Sequence, residues 1–243
     1  MDIICLGELL VDMFPSEVGK SLTEVSAFHP KPGGAPANVA VAAVRLDAES
    51  AFIGKVGDDA FGHHLADVLH ETGVDVSGMR FDQDARTGMA FIAMPDVNSY
   101  EILFYRNPGA DMRLRADELD LELLGRTRAF HFGSISLIQE PSRSATLKAL
   151  RTAREGGALI SFDVNYRPGL WNRDTARDRV LATIPDVDLL KVNETELALL
   201  GGSDDLERAT RALLERGPGI CVVTLGPGGS YFRVAGGGDA IPA

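Results

Sequence analysis

Hydrophobic and polar positions along the 243-residue chain follow two different periods. Short runs rich in β-branched and aromatic residues recur at about 2–7, 50–56, 129–133, 158–164, 187–193 and 220–225; their length and their glycine or polar boundaries predict strands. Between them, apolar residues fall three and four apart. Residues 36–46 open with Pro36, whose fixed φ suits a first helical turn, and place Val39, Ala43 and Leu46 on one face. Residues 59–72 place Phe61, Leu65, Val68 and Leu69 at the same spacing and stop before Gly73. A third helix opens at Pro141 and runs through Leu147, Leu150 and Ala153 to Gly156; a fourth begins at the acidic pair Asp204-Asp205 and closes at Arg216-Gly217.

Strands alternating with helices in this way predict a layered α/β fold with a mostly parallel central sheet. Two stretches, 9–30 and 87–106, break the pattern. The second contains TGMAFIAM and YEILFYR, separated by Pro95-Asp96 and Asn98-Ser99, as antiparallel strands and their turn would be. These stretches predict a small β flap on the main sheet, all within one domain over residues 1–243.

Charge narrows the function classes. The chain has 24 Lys+Arg against 35 Asp+Glu, a net charge of −11, and this argues against coating nucleic acid or an anionic membrane. A local cationic pocket is still allowed. Cys5 and Cys221 sit in apolar runs, where cysteine behaves as a small hydrophobe, so no disulfide framework is expected. No apolar run approaches a bilayer span, and Met1 leads into a strand-like run without a basic leader, which makes a cytoplasmic protein the expectation. Glycine is in excess, 26 residues or about 11% against a usual ~7%, and its clustering points to tight turns near ligands.

Pro32-Gly33-Gly34-Ala35-Pro36-Ala37-Asn38 is the richest segment. Two glycines before a helix let backbone approach a ligand, the helix start offers unpaired N–H groups, and Asn38 supplies a donor and an acceptor. It reads either as a hydroxyl-recognising site or as an ordinary loop with a proline-led helix. Asp12 follows the apolar ELLV, where a first strand would end and the flap begin; it could accept two hydroxyls there, or be a solvated turn residue. Asn193 and Glu196, after Lys191 on another strand, are three apart and could jointly hold a hydrated Mg²⁺ beside phosphates, although the helix dipole alone favours acids in a first turn. Thr224, Gly226 and Gly229 form a strand-end turn that could border a nucleotide. Arg106 and Arg167 are candidates for an anionic or polyhydroxyl ligand, or for surface ion pairs. His63, His64 and His131 lack metal-ligand spacing and read as structural or exposed. Walker A and GxGxxG motifs are absent from the sequence.

Taken together, GGAPANVAVAAVRL and AFIGKVGDDAFG, with Gly54, Gly57 and Gly62, resemble the N-terminal signature of the ribokinase-like (PfkB) carbohydrate kinases. FYRNPGADM, FHFGSISLI, DVNYRPGLW, KVNETE and VTLGPGG resemble later blocks of that family in the same order, in wording closest to its fructokinases. The resemblance implies a three-layer ribokinase-like fold and an ATP-dependent transfer of the γ-phosphoryl group to a primary hydroxyl of a ketohexose, with ATP and Mg²⁺ as cofactors. It assigns Asp12, Gly33, Gly34 and Asn38 to the sugar hydroxyls, and Arg106 and Arg167 to the sugar or the transferred phosphate. It assigns Lys191, Asn193, Glu196, Thr224, Gly226 and Gly229 to the nucleotide side, with Glu196 reaching the metal through water. It also implies a flap that closes over the sugar and supports a homodimer, with no nucleic-acid or membrane partner.

One block departs from the family pattern. The family's DTxGAGD motif, whose last aspartate is the catalytic base, is not found; Gly236-Gly237-Gly238-Asp239 lacks the preceding Asp-Thr and falls in a hairpin region. The sequence therefore leads to the expectation of a C-terminally truncated, nearly inactive form of a fructokinase. The alternatives are a 2-keto-3-deoxygluconate kinase, since two arginines could serve a carboxylate, and a non-catalytic sugar-binding protein.

Overall fold

The computed structural model describes residues 1–96 and 99–243. Asn98, assigned above to a turn, lies outside the described residues. The main sheet contains β1 (Ile3–Leu6), β4 (Ser50–Gly57), β5 (Met79–Asp82), β8 (Ala129–Gly133), β9 (Leu159–Asp163), β10 (Leu189–Asn193), β11 (Ile220–Thr224), β12 (Ser230–Val234) and β13 (Gly237–Ile241). Their order is β13-β12-β11-β10-β9-β8-β1-β4-β5. All pairings from β5 to β11 are parallel, and β12 and β13 add an antiparallel edge. A second sheet, ordered β3-β2-β6-β7, is made by β2 (Leu10–Pro15), β3 (Phe28–Gly33), β6 (Met89–Asp96) and β7 (Ser99–Tyr105). These are the segments expected to form the flap, and β3 runs three residues further than the sequence reading placed it.

Helices cover the main sheet on both sides, giving three layers. Helices α1 (Ala35–Arg45) and α2 (Ala60–Glu71) pack Ala37, Ala40, Leu65 and Leu69 against Cys5, Phe52 and Val56. On the other face lie α4 (Ser142–Glu155), α5 (Arg173–Thr183), α6 (Glu194–Gly201) and α7 (Leu206–Leu214), with the four-residue α3 (Leu121–Leu124) beside α4. Their buried side chains meet Ile4, Ile53, Phe130, Phe132, Phe162, Leu190 and Val223. Phe132 and Phe162 stack with ring centroids 4.5 Å apart and planes within 6°. Every residue of β4 is buried, including Lys55, whose charge is met by Asp82 and Glu118. By contrast β10 and β11 alternate buried and half-buried positions, and Leu159 at the start of β9 is 44% exposed.

Two expected helix faces are displaced. On α1 the buried residues are Pro36, Ala37 and Ala40, while Leu46 lies beyond the last turn and is exposed. On α2, Gly62 takes the inward position and Phe61 stays partly exposed. The cause is close approach: a Cβ at Gly62 would stand 2.0 Å from the Gly57 carbonyl oxygen. Small residues let the helices sit against the sheet, so the largest apolar side chain does not mark the inner face. Helix α5 escapes a periodicity reading because five of the eleven residues of RDTARDRVLAT are charged and few are large and apolar; its N-cap is Asn172, whose side chain accepts from the Asp174 and Thr175 N–H groups. Both cysteines are free and buried, and burial pushes the Cys221 thiol up to about 12.

The two faces of β9 offer a direct check. Phe162→Ala should cost about 3–5 kcal/mol in denaturant unfolding, whereas Leu159→Ala on the opposite face should cost less than about 1 kcal/mol. Equal losses would contradict this assignment of core and open face.

Candidate active site

β1 ends at Leu6, so Asp12 does not stand at the end of the first strand, as its place after ELLV led us to expect; it lies within β2 of the second sheet, opposite Lys31 of β3 and Ala90 of β6. This puts its carboxylate against Gly33, where a Cβ would come within 2.2 Å of Asp12 Oδ2. Gly34 has φ +116° and caps α1, and a Cβ there would meet the Glu8 carbonyl oxygen at 2.3 Å, so the pair is glycine for steric reasons. Glu8, Asp12, Gly34, Asn38, Asn165 and Arg167 line one cavity of about 240 Å³, roofed by Ala90 and Ile92 of β6 and by Ile102 and Phe104 of β7. The flap thus supplies an apolar wall over a polar floor. Burial raises the Asp12 carboxyl above its usual range, and the Arg167 charge opposes that shift. A larger groove of about 620 Å³, walled by Val41, Leu46, Val68 and Leu69 between α1 and α2, shares Asn38 with this cavity but carries far fewer charged groups.

The root of the flap is fixed by Asp59, the N-cap of α2. Its Oδ2 accepts from the Thr87 N–H at 2.9 Å, and its Oδ1 accepts from the Gly62 N–H at 2.9 Å and the Thr87 hydroxyl at 2.8 Å. The GKVGDDAFG block is therefore scaffolding that aims β6 over the cavity.

Arg106, expected at the cavity, lies just past β7 and is 4% exposed, with its guanidinium paired to Asp111. It is outside the cavity lining and borders a neighbouring one with Phe104 and Met112. Burial lowers its pKa, and the charge of Glu8 opposes that.

The second group of expected residues gathers at the carboxyl ends of β10 and β11, where Asn193 pairs in register with Thr224. Lys191 Nζ is 3.1 Å from Asp163 Oδ1. Asn193 caps α6 in a reciprocal box: its side chain accepts from the Glu196 N–H at 2.9 Å, and Glu196 Oε2 accepts from the Asn193 N–H at 2.8 Å. Glu196 Oε1 accepts from the Tyr166 N–H at 2.6 Å. Both oxygens of this buried carboxylate are thus occupied by backbone, and burial raises its pKa despite them. The residues do not fit a directly bound ion: among the described residues no group of three His, Cys, Asp or Glu side chains could hold a metal. Gly226 and Gly229 adopt positive φ around a short turn, and a Cβ on Gly229 would strike the Ile241 carbonyl oxygen at 2.1 Å. Gly236 to Asp239 lie in the β12–β13 hairpin, not at a helix start.

One loop joins the two groups. At the end of β9 Asp163 pairs with Lys191; beyond it Asn165 turns the chain at φ +40°, Tyr166 donates to Glu196, and Arg167 reaches the cavity. Sequence reasoning missed Glu8, Asp163 and Asn165. Glu8 carried a signal as a lone acid inside the apolar CLGELLV, and Asp163 and Asn165 as polar residues ending a strand. His131 is buried with its pKa lowered to about 4, its Nδ1 3.0 Å from Ser161 Oγ, and His63 pairs with Asp58 on the surface.

Glu196→Ala leaves two N–H groups without acceptors and should destabilise the protein by about 2–4 kcal/mol in urea unfolding, with Glu196→Gln, which keeps one acceptor oxygen and turns an NH₂ donor toward the other N–H, costing at least about half as much. A neutral Glu196→Ala substitution would show that the loop is held by other means.

The pfkB family carbohydrate kinase model matches residues 1–243. Fructokinase-1 of Zea mays is 46% identical over 243 residues, covering 99% of this chain and 75% of that protein. Fructokinase-1 of Oryza sativa subsp. japonica is 45% identical with the same coverage. Among solved structures, the Halothermothrix orenii fructokinase superposes with a TM-score of 0.90 at 32% identity, covering 100% of this chain and 86% of that one. The Xylella fastidiosa fructokinase with bound ATP gives 0.88 at 30% identity, covering 100% and 74%. Ribokinase-like architecture, a polar cavity under a β flap and a family match along the whole chain agree: the protein belongs to the PfkB family of carbohydrate kinases.

Proposed function

We propose that this protein is a fructokinase by substrate, holding fructose and ATP for transfer of the γ-phosphoryl group to a primary hydroxyl with release of ADP. The family's proton-accepting aspartate has no counterpart in this sequence, so turnover by this chain should be very low. The observation that carries the choice of sugar is the charge of the cavity. Glu8 and Asp12 share the lining with a single basic side chain, Arg167. Two acidic side chains against one basic one suit a neutral polyol better than a carboxylate substrate. Arg167 is the one feature that favours 2-keto-3-deoxygluconate, and Asp12 offsets it.

In this reading Asp12 accepts sugar hydroxyls while Asn38 both donates and accepts, which fixes one face of the ring. Ile102 and Phe104 exclude water from above. Phosphoryl transfer asks a protein mainly for alignment and charge stabilisation, and Arg167 can supply positive charge beside the reacting hydroxyl. ATP would lie along the ends of β10 and β11, with Lys191 and the Thr224 to Gly229 turn beside its phosphates. Mg²⁺ would come with those phosphate oxygens, while Glu196 braces the turn beneath them. Half-exposed Leu103 and Tyr105 on the flap's outer side support pairing of two flaps in a homodimer. Free, buried cysteines suit a cytoplasmic setting, and among the described residues no helix is long and apolar enough to cross a membrane.

Calorimetric titration of the purified chain should show fructose binding at least about tenfold more tightly than 2-keto-3-deoxygluconate; the reverse order would replace this reading with the acid-sugar kinase. Asp12→Asn should weaken fructose binding by about a hundredfold, the loss of two hydrogen bonds to a charged acceptor. The pH dependence has a definite sign. Sugar hydroxyls donate to the carboxylate, so affinity is full above the Asp12 pKa and falls as acidification passes through it. Because burial raises that pKa from 3.8, the fall should begin at a higher pH than an ordinary aspartate would allow, and Asp12→Asn should abolish it. A flat affinity profile in the wild-type chain would contradict the role of Asp12.

A further inference from the structure

Among the described residues, two that are not glycine hold a left-handed φ, Asp47 at +63° and Asn165 at +40°. Asp47 lies in an exposed turn just past α1, with its N–H bonded to the Val44 carbonyl oxygen at 3.0 Å, where chains leaving a helix commonly take this conformation. Asn165 has no helix to end. It lies just past β9, at the carboxyl edge of the sheet, and lines the sugar cavity beside Arg167.

The turn itself does not need the asparagine side chain. The bonds that hold it are made by backbone donors: the Asn165 N–H to Asp163 Oδ1 at 3.2 Å, and the Tyr166 N–H to Glu196 Oε1 at 2.6 Å. Glycine would keep both and would take φ +40° without a Cβ penalty. Asparagine tolerates left-handed backbone best where its amide bonds back to the chain. Among the described residues the Asn165 amide has no hydrogen-bond partner. A strained residue with an unengaged amide at the wall of a ligand cavity is the pattern of a contact group held at a cost in stability.

The lining shows what that group would supply. Glu8 and Asp12 are acids, and side-chain nitrogen donors are confined to Asn38, Asn165 and Arg167; each sugar hydroxyl has two lone pairs to be met as well as one proton to give. Asn38 comes from α1 and Asp12 from the flap, whereas Asn165 comes from the loop whose Asp163 and Tyr166 are tied to Lys191 and Glu196. Asn165 therefore stands on the side of the cavity nearest the rim formed by β10 and β11.

We infer that Asn165 is a sugar-contacting residue whose amide donates to the primary hydroxyl that accepts the phosphoryl group, and that this contact is why asparagine stands where glycine would be less strained. The inference rests on the fructokinase reading, because it requires fructose in this cavity and ATP along β10 and β11.

Asn165→Gly removes the amide and relieves the backbone together. Its melting temperature should be unchanged or higher, while fructose affinity by calorimetry should fall by at least about tenfold, the scale of one hydrogen bond. ATP affinity should stay within about twofold. Deleting the partner on the sugar should remove the effect: against one of 1-deoxyfructose and 6-deoxyfructose, each lacking a primary hydroxyl, wild type and Asn165→Gly should agree within about twofold. Asn165→Asp keeps the size and loses the donor, so it should bind fructose no better than Asn165→Gly. A lowered melting temperature in Asn165→Gly, or a chain that does not fold, would make the amide structural and overturn the inference. Unchanged fructose affinity in Asn165→Gly, full affinity in Asn165→Asp, or an undiminished loss against both deoxy sugars would overturn it too. If the wild-type chain binds fructose and Asp12→Asn loses it but Asn165→Gly does not, only the role of Asn165 falls; if the wild-type chain binds no fructose, the functional reading falls and this inference with it.

Discussion

The carboxylate of Glu196 is the constraint on which the arrangement of the site depends. It accepts one N–H from the end of β10 and one from the loop after β9, so two crossovers of a parallel sheet are locked at one rim. Parallel strands place all their carboxyl ends on the same edge, but that alone would leave the loops free to diverge. With Tyr166 fixed to Glu196, the adjacent Arg167 is delivered to the cavity under the flap, and Asp163 is delivered to Lys191 on the other side. Each oxygen uses one lone pair on a backbone N–H. The pair three residues apart therefore serves as a reciprocal helix cap.

Steric contact rather than charge shapes the sugar end. Asp12 can press on Gly33, and Gly34 can pass under the Glu8 carbonyl oxygen, because neither glycine carries a Cβ. The flap needs a rigid root, and Asp59 provides it with three hydrogen bonds joining α2 to the start of β6. The net charge of −11 is compatible with handling a nucleotide because the cations near the rim are placed singly: Lys191 against Asp163, and Arg167 within reach of Asp12.

Much of this was legible in the sequence, for identifiable reasons. β4 is buried on both faces and so reads as a mostly apolar run broken by Lys55, and the glycine pair before a proline-led helix marks a close backbone approach. The family resemblance placed Asp12, Asn38 and Arg167 near one ligand, and they do line one cavity. What escaped depends on contacts remote in sequence. Glu8 caps a helix 27 residues away, and Glu196 reaches a backbone N–H 30 residues away, which no local pattern encodes. Arg106 was expected at the ligand because it ends the flap strand, yet it is buried and its guanidinium pairs with Asp111, only five residues on. The faces of α1 and α2 were misread because glycine and alanine, not the bulkier residues, permit the closest helix–sheet approach.

The central claim is that the small cavity beneath the flap, and not the larger apolar groove between α1 and α2, receives the sugar. A crystal structure of the chain soaked with fructose tests it most directly. The account predicts sugar oxygens within hydrogen-bond distance of Asp12 and Asn38, with Ile102 and Phe104 over the ring. Fructose ordered in the groove beside Arg45 and Thr72, with the cavity holding only water, would contradict it.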